Sequence, residues 1–104
     1  MKLPGGMNMQ AAMKQAKQMQ AKMQEEIAKI RVEASTGGGM VTVGMDGQKN
    51  VISVKIDKEV AGDVEMLQDL VMAACNEAVR MVEQQIQGKM GGMLGGMGLP
   101  PGLF

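Results

Sequence analysis

The sequence lacks histidine, tryptophan and tyrosine, and its 104 residues include one cysteine and one phenylalanine. Without histidine, the chain has no side chain of the type that most often carries acid–base chemistry near neutral pH or binds zinc. A single cysteine cannot form a disulfide within the chain, so a secreted disulfide scaffold is excluded. The absence of stacking aromatic rings also excludes the common platforms for single-stranded nucleic acids.

Long hydrophobic runs are absent as well. No apolar run approaches the roughly 20 residues of a membrane span, and residues 1–6 lack the apolar segment of a signal peptide. We therefore expect a cytoplasmic protein with no membrane partner. The chain has 11 basic and 11 acidic residues, so its formal net charge is zero, and it contains 14 methionines.

The first helix is predicted from a stretch without glycine or proline that runs from Met9 to about Ala34. Asn8 is a suitable N-cap, and a helix of about 25 residues would be nearly 40 Å long. Its apolar residues follow helical spacing and trace one face: Met9, Ala12, Met13, Ala16, Met19, Met23, Ile27 and Ile30. The lysines on the opposite side are Lys14, Lys17, Lys22 and Lys29.

Three short strands follow. Alternation begins near Arg31, and residues 36–39 form a glycine-rich turn. In the next strand, alternation places one set of side chains on a single face: Val41, Val43 and Met45. After a hairpin signal at Asp46-Gly47, a third strand places another set on one face: Ile52, Val54 and Ile56.

A second long helix is predicted from an N-cap at Asp63 to about Gln87, with Gly88 ending it. Its apolar stripe consists of Leu67, Leu70, Val71, Ala74, Ala78, Met81, Val82 and Ile86. Cys75 lies at the edge of this stripe and is interpreted as a core residue. The predicted organisation is a flexible leader over residues 1–8, a single domain over 9–88, and a flexible Gly/Met/Pro-rich tail over 89–104.

The fold class predicted from this α-β-β-β-α order is α+β, with a three-stranded antiparallel sheet and two long helices. Such a sheet with one covering helix gives a thin core, so we expect a homodimer with two-fold symmetry. The residues predicted to form the core or dimer interface are Met19, Met23, Ile27, Ile30, Val43, Val54, Leu67, Leu70, Val71 and Ala74.

Charge is segregated along the neutral chain. Residues 1–24 contain four lysines and no acid, whereas residues 57–83 contain seven acids against Lys58 and Arg80. From the residues alone, a solvated helix face is the simpler interpretation of the lysines.

Several segments together resemble the YbaB/EbfC family of nucleoid-associated proteins. They are residues 13–26 (MKQAKQMQAKMQEE), residues 38–43 (GGMVTV), residues 54–57 (VKID), residues 66–78 (MLQDLVMAACNEA) and residues 99–102 (LPPG). The resemblance covers nearly the whole chain. It implies a tweezer-like homodimer that binds double-stranded DNA in the cytoplasm and nucleoid, affects expression or repair indirectly, and has no catalytic activity, cofactor or small-molecule substrate.

With this resemblance, the lysines become candidate DNA contacts. With a single aromatic residue, Phe104, and no recognition-helix motif, binding would depend mostly on phosphate contacts and would show little sequence specificity. The predicted DNA-binding residues are Lys2, Lys14, Lys17, Lys22, Lys29 and Arg31.

The methionines allow other interpretations. Met90, Met93 and Met97 could ligate copper(I), because thioethers are soft ligands, although the simpler interpretation is a low-complexity tail without a metal site. Met-rich apolar surfaces also suit a protein-interaction module, which is the alternative function. On the helices, methionine acting as core filler is the simpler explanation.

Overall fold

The computed structural model describes residues 9–95. In chain order, the elements are helix α1 (Met9–Ala28), strand β1 (Arg31–Thr36), a 3-10 turn (Gly37–Gly39), strands β2 (Val41–Asp46) and β3 (Val51–Ile56), helix α2 (Lys58–Ala61) and helix α3 (Val64–Gly95). The strands form one antiparallel sheet in the order β1-β2-β3. The predicted α+β class and element order are confirmed, with the short α2 added in the connection before α3.

Helix α1 is shorter than the prediction of a helix to about Ala34, because the last residues of that stretch belong to β1. Val32 and Ala34 are buried, whereas Arg31 and Glu33 are exposed, which is the two-residue period of a half-buried strand. Pairing with β2 satisfies the backbone of these residues and outweighs their moderate helix propensity.

The core lies between α3 and the face of the sheet formed by β1 and β2. Helix α3 presents Ala74, Ala78 and Val82, which recur every four residues and therefore share one helix face. The buried hydrophobic residues are Ile30, Val32, Ala34, Val41, Val43, Met45, Val60, Ala74, Ala78 and Val82. Partly buried residues pack around them: Met40, Leu67, Leu70, Val71, Cys75, Val79, Met81 and Ile86. The predicted stripe of the second long helix is thus confirmed.

Strand β3 extends the apolar face of the sheet beyond the residues that α3 covers. Val54 pairs with Val43 and Ile56 pairs with Val41, so these side chains share the face that carries the core. A helix about 10 Å across covers two strands that lie about 4.8 Å apart, but not a third. Val51 pairs with Met45 across a bulge, and Val51, Val54 and Ile56 consequently remain 43–49% exposed in the single chain. The bulge leaves Ile52, which the sequence placed on the same face as Val54 and Ile56, without a pairing partner in β2.

The loop between β2 and β3 differs from the predicted two-residue turn. Three residues, Gly47, Gln48 and Lys49, connect the Asp46–Asn50 pair, and Lys49 adopts a φ of 67° that closes such a loop. The Asp46 carboxylate accepts hydrogen bonds from the backbone N–H groups of Gln48 and Asn50, both at 2.9 Å. These two bonds favour the longer loop over the turn that Asp46-Gly47 suggests.

The turn between β1 and β2 depends on glycine. Gly37, Gly38 and Gly39 have φ values of 62°, 68° and 97°, a region that other residues rarely adopt. The Thr36 hydroxyl donates a 2.8 Å hydrogen bond to the Leu70 carbonyl of α3. The turn and this bond together hold the end of β1 against the helix.

Helix α3 begins as predicted and ends later. The Asp63 carboxylate accepts a hydrogen bond from the backbone N–H of Met66 at 3.1 Å, which is an N-cap. The helix then passes the predicted end at Gly88 and continues to Gly95. Glycine weakens a helix by about 1 kcal/mol relative to alanine but keeps its hydrogen bonds, and Lys89 pairs here with Glu26 of α1.

Residues 89–95, which the predicted organisation assigns to the tail, are thus part of α3. The predicted leader, including Asn8, and residues 96–104 of the predicted tail lie outside the described residues.

We expect Gly39→Ala to lower the free energy of unfolding by about 1–2 kcal/mol, because its φ of 97° strains any residue with a Cβ. Gly62→Ala is the matched control, since Gly62 has a φ of −83° and, among the described residues, open space around it. Alanine there should be neutral or stabilise by about 0.4–1 kcal/mol. Urea unfolding followed by far-ultraviolet circular dichroism measures both, and equal losses would contradict the backbone explanation.

Candidate nucleic-acid interface

Helix α1 is a basic arm that contributes no buried residue to the core. Lys14, Lys17 and Lys22 are exposed, and within residues 9–95 none of the three forms an ion pair with an acid. Lys29 is also exposed, and it lies 3.6 Å from Glu26 one turn earlier. The first three lysines therefore present their charge to solvent, whereas the fourth is partly neutralised.

An open hollow of about 510 Å³ runs along the lysine side of α1. The residues that line it are Gln10, Met13, Lys14, Lys17, Gln18 and Ala21. Two ammonium groups and two side-chain amides thus lie along the same wall. The hollow is open to solvent and its lining is mainly apolar, so the attraction for a polyanion comes from the two ammonium groups at its border and not from the hollow.

Arg31 occupies a different place from the lysines. It is the first residue of β1, and its Nη1 donates hydrogen bonds to the carbonyl oxygens of Ala28 (3.0 Å) and Ile30 (2.7 Å). Its guanidinium therefore caps the carboxyl end of α1. Of the other predicted DNA-binding residues, Lys2 lies outside the described residues.

Acidic side chains lie on another part of the molecule. The exposed acids of α2 and of the first turns of α3 are Glu59, Glu65 and Asp69, and Asp57 and Asp63 precede the two helices. The segregation of charge along the sequence is thus also a segregation between elements. A polyanion would be attracted to α1 and repelled by the α2 end.

Glu26 links α1 to the distal part of α3. Its carboxylate oxygens lie 3.2 Å from Lys89 Nζ and 3.6 Å from Lys29 Nζ. The hydrogen bond from Lys89, reinforced by the charge of Lys29, holds the pKa of Glu26 below its ordinary value of 4.5. Sequence reasoning missed Lys89 because Gly88 was interpreted as the helix end; the basic residue directly after that glycine was the one available signal.

The residues predicted to form the core or dimer interface fall into three groups. Ile30, Val43 and Ala74 are buried within the single chain, and Val54 is exposed. The remaining residues are half-buried: Met19, Met23, Ile27, Leu67, Leu70 and Val71. The apolar stripe of α1 is thus covered only towards its carboxyl end, and Met9 and Met13 are 75% and 55% exposed.

No helix among residues 9–95 is both long and apolar enough to cross a membrane. Within the same range, no three acidic or cysteine side chains gather as a metal site would require. Met97 of the copper(I) alternative lies outside the described residues.

The fold and the exposed lysines together define a class: a small α+β protein that presents a basic helix on its surface. The chain belongs to the YbaB/EbfC DNA-binding family, whose profile matches residues 5–97. The resemblance noted in the sequence is thus confirmed. The name of the family indicates DNA binding, and the names of the relatives below indicate association with the nucleoid.

Similar proteins support this assignment. A nucleoid-associated protein of Koribacter versatilis is 54% identical over 98 residues, covering 92% of this chain and 97% of that protein. A nucleoid-associated protein of Acidobacterium capsulatum is 50% identical over 103 residues, covering 92% and 95%. The crystal structure of an uncharacterized protein from Helicobacter pylori has a TM-score of 0.72 at 24% identity, covers 85% of this chain and 98% of that one, and supports the fold alone.

We expect the Glu26 carboxyl group to titrate below pH 4.5 and its midpoint to rise in Lys89→Met, with a smaller rise in Lys29→Met. Because folding lowers this pKa, the associated stabilisation is complete above about pH 4.5 and is lost as the pH falls through the folded value. Carbon-detected NMR of the side-chain carboxyl measures the midpoint. Lys55→Met, on β3, is the control, and an unchanged midpoint in Lys89→Met would refute the assigned link.

Proposed function

We propose that this protein binds double-stranded DNA as a homodimer, through phosphate contacts and with little sequence preference. The family assignment and the exposed lysines of α1 are the main support. The protein would coat or bridge DNA in the nucleoid of the cytoplasm and influence gene expression or repair indirectly.

The observation that carries the proposal is the row of exposed lysines on α1. Along the helix axis, Lys17 lies about 4.5 Å beyond Lys14, and Lys22 lies about 7.5 Å beyond Lys17. Ammonium groups spaced in this way can reach successive phosphates, which carry no sequence information. The lack of stacking aromatic side chains is consistent with duplex binding and not with recognition of unpaired bases.

A homodimer is supported by the uncovered part of the sheet. Val51, Val54 and Ile56 pair with the core residues of β2 and are exposed, and among the described residues no strand pairs with the outer edge of β3. Exposed apolar edges of this kind favour association with another chain. A second copy would bring the same surface, and a two-fold axis beside β3 would bury both together.

The phosphate mechanism predicts a steep dependence on salt. If one dimer engages ~5 phosphates, log K should fall with log salt at a slope near −4.5, which is a loss of ~10²–10³ in affinity from 50 to 200 mM. Fluorescence anisotropy of labelled duplexes of two unrelated sequences measures this slope. A flat salt response, or binding confined to one sequence, would contradict the mechanism.

Reversing the charge of α1 should abolish this binding. We expect the double variant Lys14→Glu, Lys17→Glu to lose at least about 100-fold in affinity at low salt, because phosphate contacts become repulsions. The matched control reverses two exposed cations outside α1, as Lys58→Glu with Arg80→Glu, and should retain binding within a few-fold. Equal losses would show that overall charge, not the α1 face, determines affinity; circular dichroism verifies folding.

The dimer is tested with two valines of similar exposure. Val54 on β3 is 49% exposed and Val64 at the start of α3 is 60% exposed. We expect Val54→Lys to produce a monomer in sedimentation velocity, because two lysines would face each other in the apolar surface, whereas Val64→Lys remains dimeric. A dimeric Val54→Lys, or a monomeric unsubstituted chain, would contradict the proposed interface.

The alternative function, a protein-interaction module, is supported by methionines that remain exposed on the helices. They are Met9, Met13, Met66, Met72 and Met90. Absence of DNA binding at low salt would favour this alternative, because the lysines would then serve only to solvate α1.

A further inference from the structure

The connection between α1 and the sheet is short and closely packed. Helix α1 ends at Ala28 and β1 begins at Arg31, so two residues join them, and one of these, Ile30, is 2% exposed. Since α1 contributes no buried side chain of its own, its direction depends on this connection together with the hydrogen bond from Lys89 of α3 to Glu26. We define the joint as residues 27–31 together with Gly47.

Arg31 connects the two elements at the joint. Its backbone lies in β1, opposite Asp46, while its Nη1 donates to the carbonyl oxygens of Ala28 and Ile30. The last carbonyl groups of a helix have no partner within the helix, and a cationic donor there also interacts favourably with the helix dipole. The planar guanidinium therefore fixes the end of α1 relative to the first residue of the sheet.

The β2–β3 loop supports the joint from the other side. Gly47 is buried, and a Cβ at this position would overlap the carbonyl oxygen of Ile27 and lie 2.9 Å from its Cγ2. Only a glycine allows the loop to approach the helix end so closely. The loop is itself held by the carboxylate of Asp46, whose pKa is lowered chiefly by the backbone N–H of Asn50.

The length of α1 amplifies any change at the joint. A helix of 20 residues is about 30 Å long, so a rotation of ~10° at one end displaces the other by roughly 5 Å. A charge-assisted hydrogen bond to a phosphate requires an approach of about 2.7–2.9 Å. A displacement of this size is thus enough to remove a lysine from its phosphate.

We propose that Arg31 is a positioning residue that holds α1 at a fixed angle to the sheet, so that Lys14, Lys17 and Lys22 meet the DNA backbone together. Gly47 serves the same joint by close packing. This inference rests on the proposed DNA binding, and it replaces the prediction that Arg31 itself contacts DNA. Arg31→Lys keeps the charge but lacks the planar fork, so it separates the two roles.

The geometry of the arm can be measured without DNA. Spin labels at Gln15→Cys on α1 and Glu59→Cys on α2, in a Cys75→Ala background, report the distance between arm and body by pulsed electron paramagnetic resonance. Dilution with unlabelled chain restricts the measurement to one protomer. We expect a narrow distribution for the parent chain, a broader one for Arg31→Lys and Arg31→Gln, and a shifted one for Gly47→Ala. Arg80→Lys, at the only other arginine, should leave it unchanged.

The DNA affinity of the same variants supplies the second readout. If Arg31 is a positioning residue, both Arg31→Lys and Arg31→Gln should bind DNA about 10-fold or more weakly than the parent chain. The inference is overturned if Arg31→Lys binds like the parent and Arg31→Gln only reduces the salt slope by ~0.9 per protomer, with distances unchanged, because that pattern marks a phosphate contact.

The two proposals fail in different ways. A parent chain that binds no DNA at low salt would refute the proposed function and, with it, the effect of Arg31 on binding. Unchanged distance distributions in Arg31→Lys and Gly47→Ala would refute the positioning role even if DNA binding is intact. If Arg31→Gln does not fold, Arg31→Lys and Gly47→Ala still decide between the outcomes.

Discussion

Helix α3 packs across two of the three strands, and this packing sets the position of every other element. One helix cannot cover the full width of the sheet, so β1 and β2 form the core with α3 while β3 keeps its apolar side chains exposed. The single chain therefore has a thin core between α3 and two strands, and beside this core the apolar side chains of β3 remain uncovered. The proposed homodimer follows from this geometry, because a second copy would cover the apolar side chains of β3 that α3 does not reach.

The same arrangement leaves α1 outside the core. Because α3 already occupies the apolar face of β1 and β2, α1 leaves the sheet and contacts the distal part of α3 through Glu26 and Lys89; with both long helices, the described residues extend over 69 × 24 × 18 Å. An extended arm can carry charge far from the acidic α2 end of a chain whose net charge is zero. The proposed DNA binding depends on this separation, since salt screening limits the range over which each surface charge acts to about 8–10 Å.

Much of the fold could be predicted from sequence because local patterns and packing agree. The period-two alternation of β2, the stripe of α3 and the N-cap at Asp63 each correspond to the structure. Prediction was wrong where a tertiary contact outweighed a local signal. Pairing with β2 ends α1 early, hydrogen bonds to Asp46 lengthen the hairpin, and α3 continues past Gly88 to the point where Lys89 meets Glu26.

The candidate site, like the fold, has some features that local sequence patterns predict and others that depend on contacts between distant segments. That Lys14, Lys17 and Lys22 lie on one side of the helix follows from the amino-acid pattern alone, because 3.6-residue periodicity is a local property. The composition likewise determined that any polyanion site would lack aromatic stacking. In contrast, three features became visible only in the folded chain: Arg31 caps α1, Gly47 contacts the helix end, and β3 remains uncovered. These features arise from contacts between segments distant in sequence or from the direction of one element relative to the next, which no local pattern encodes.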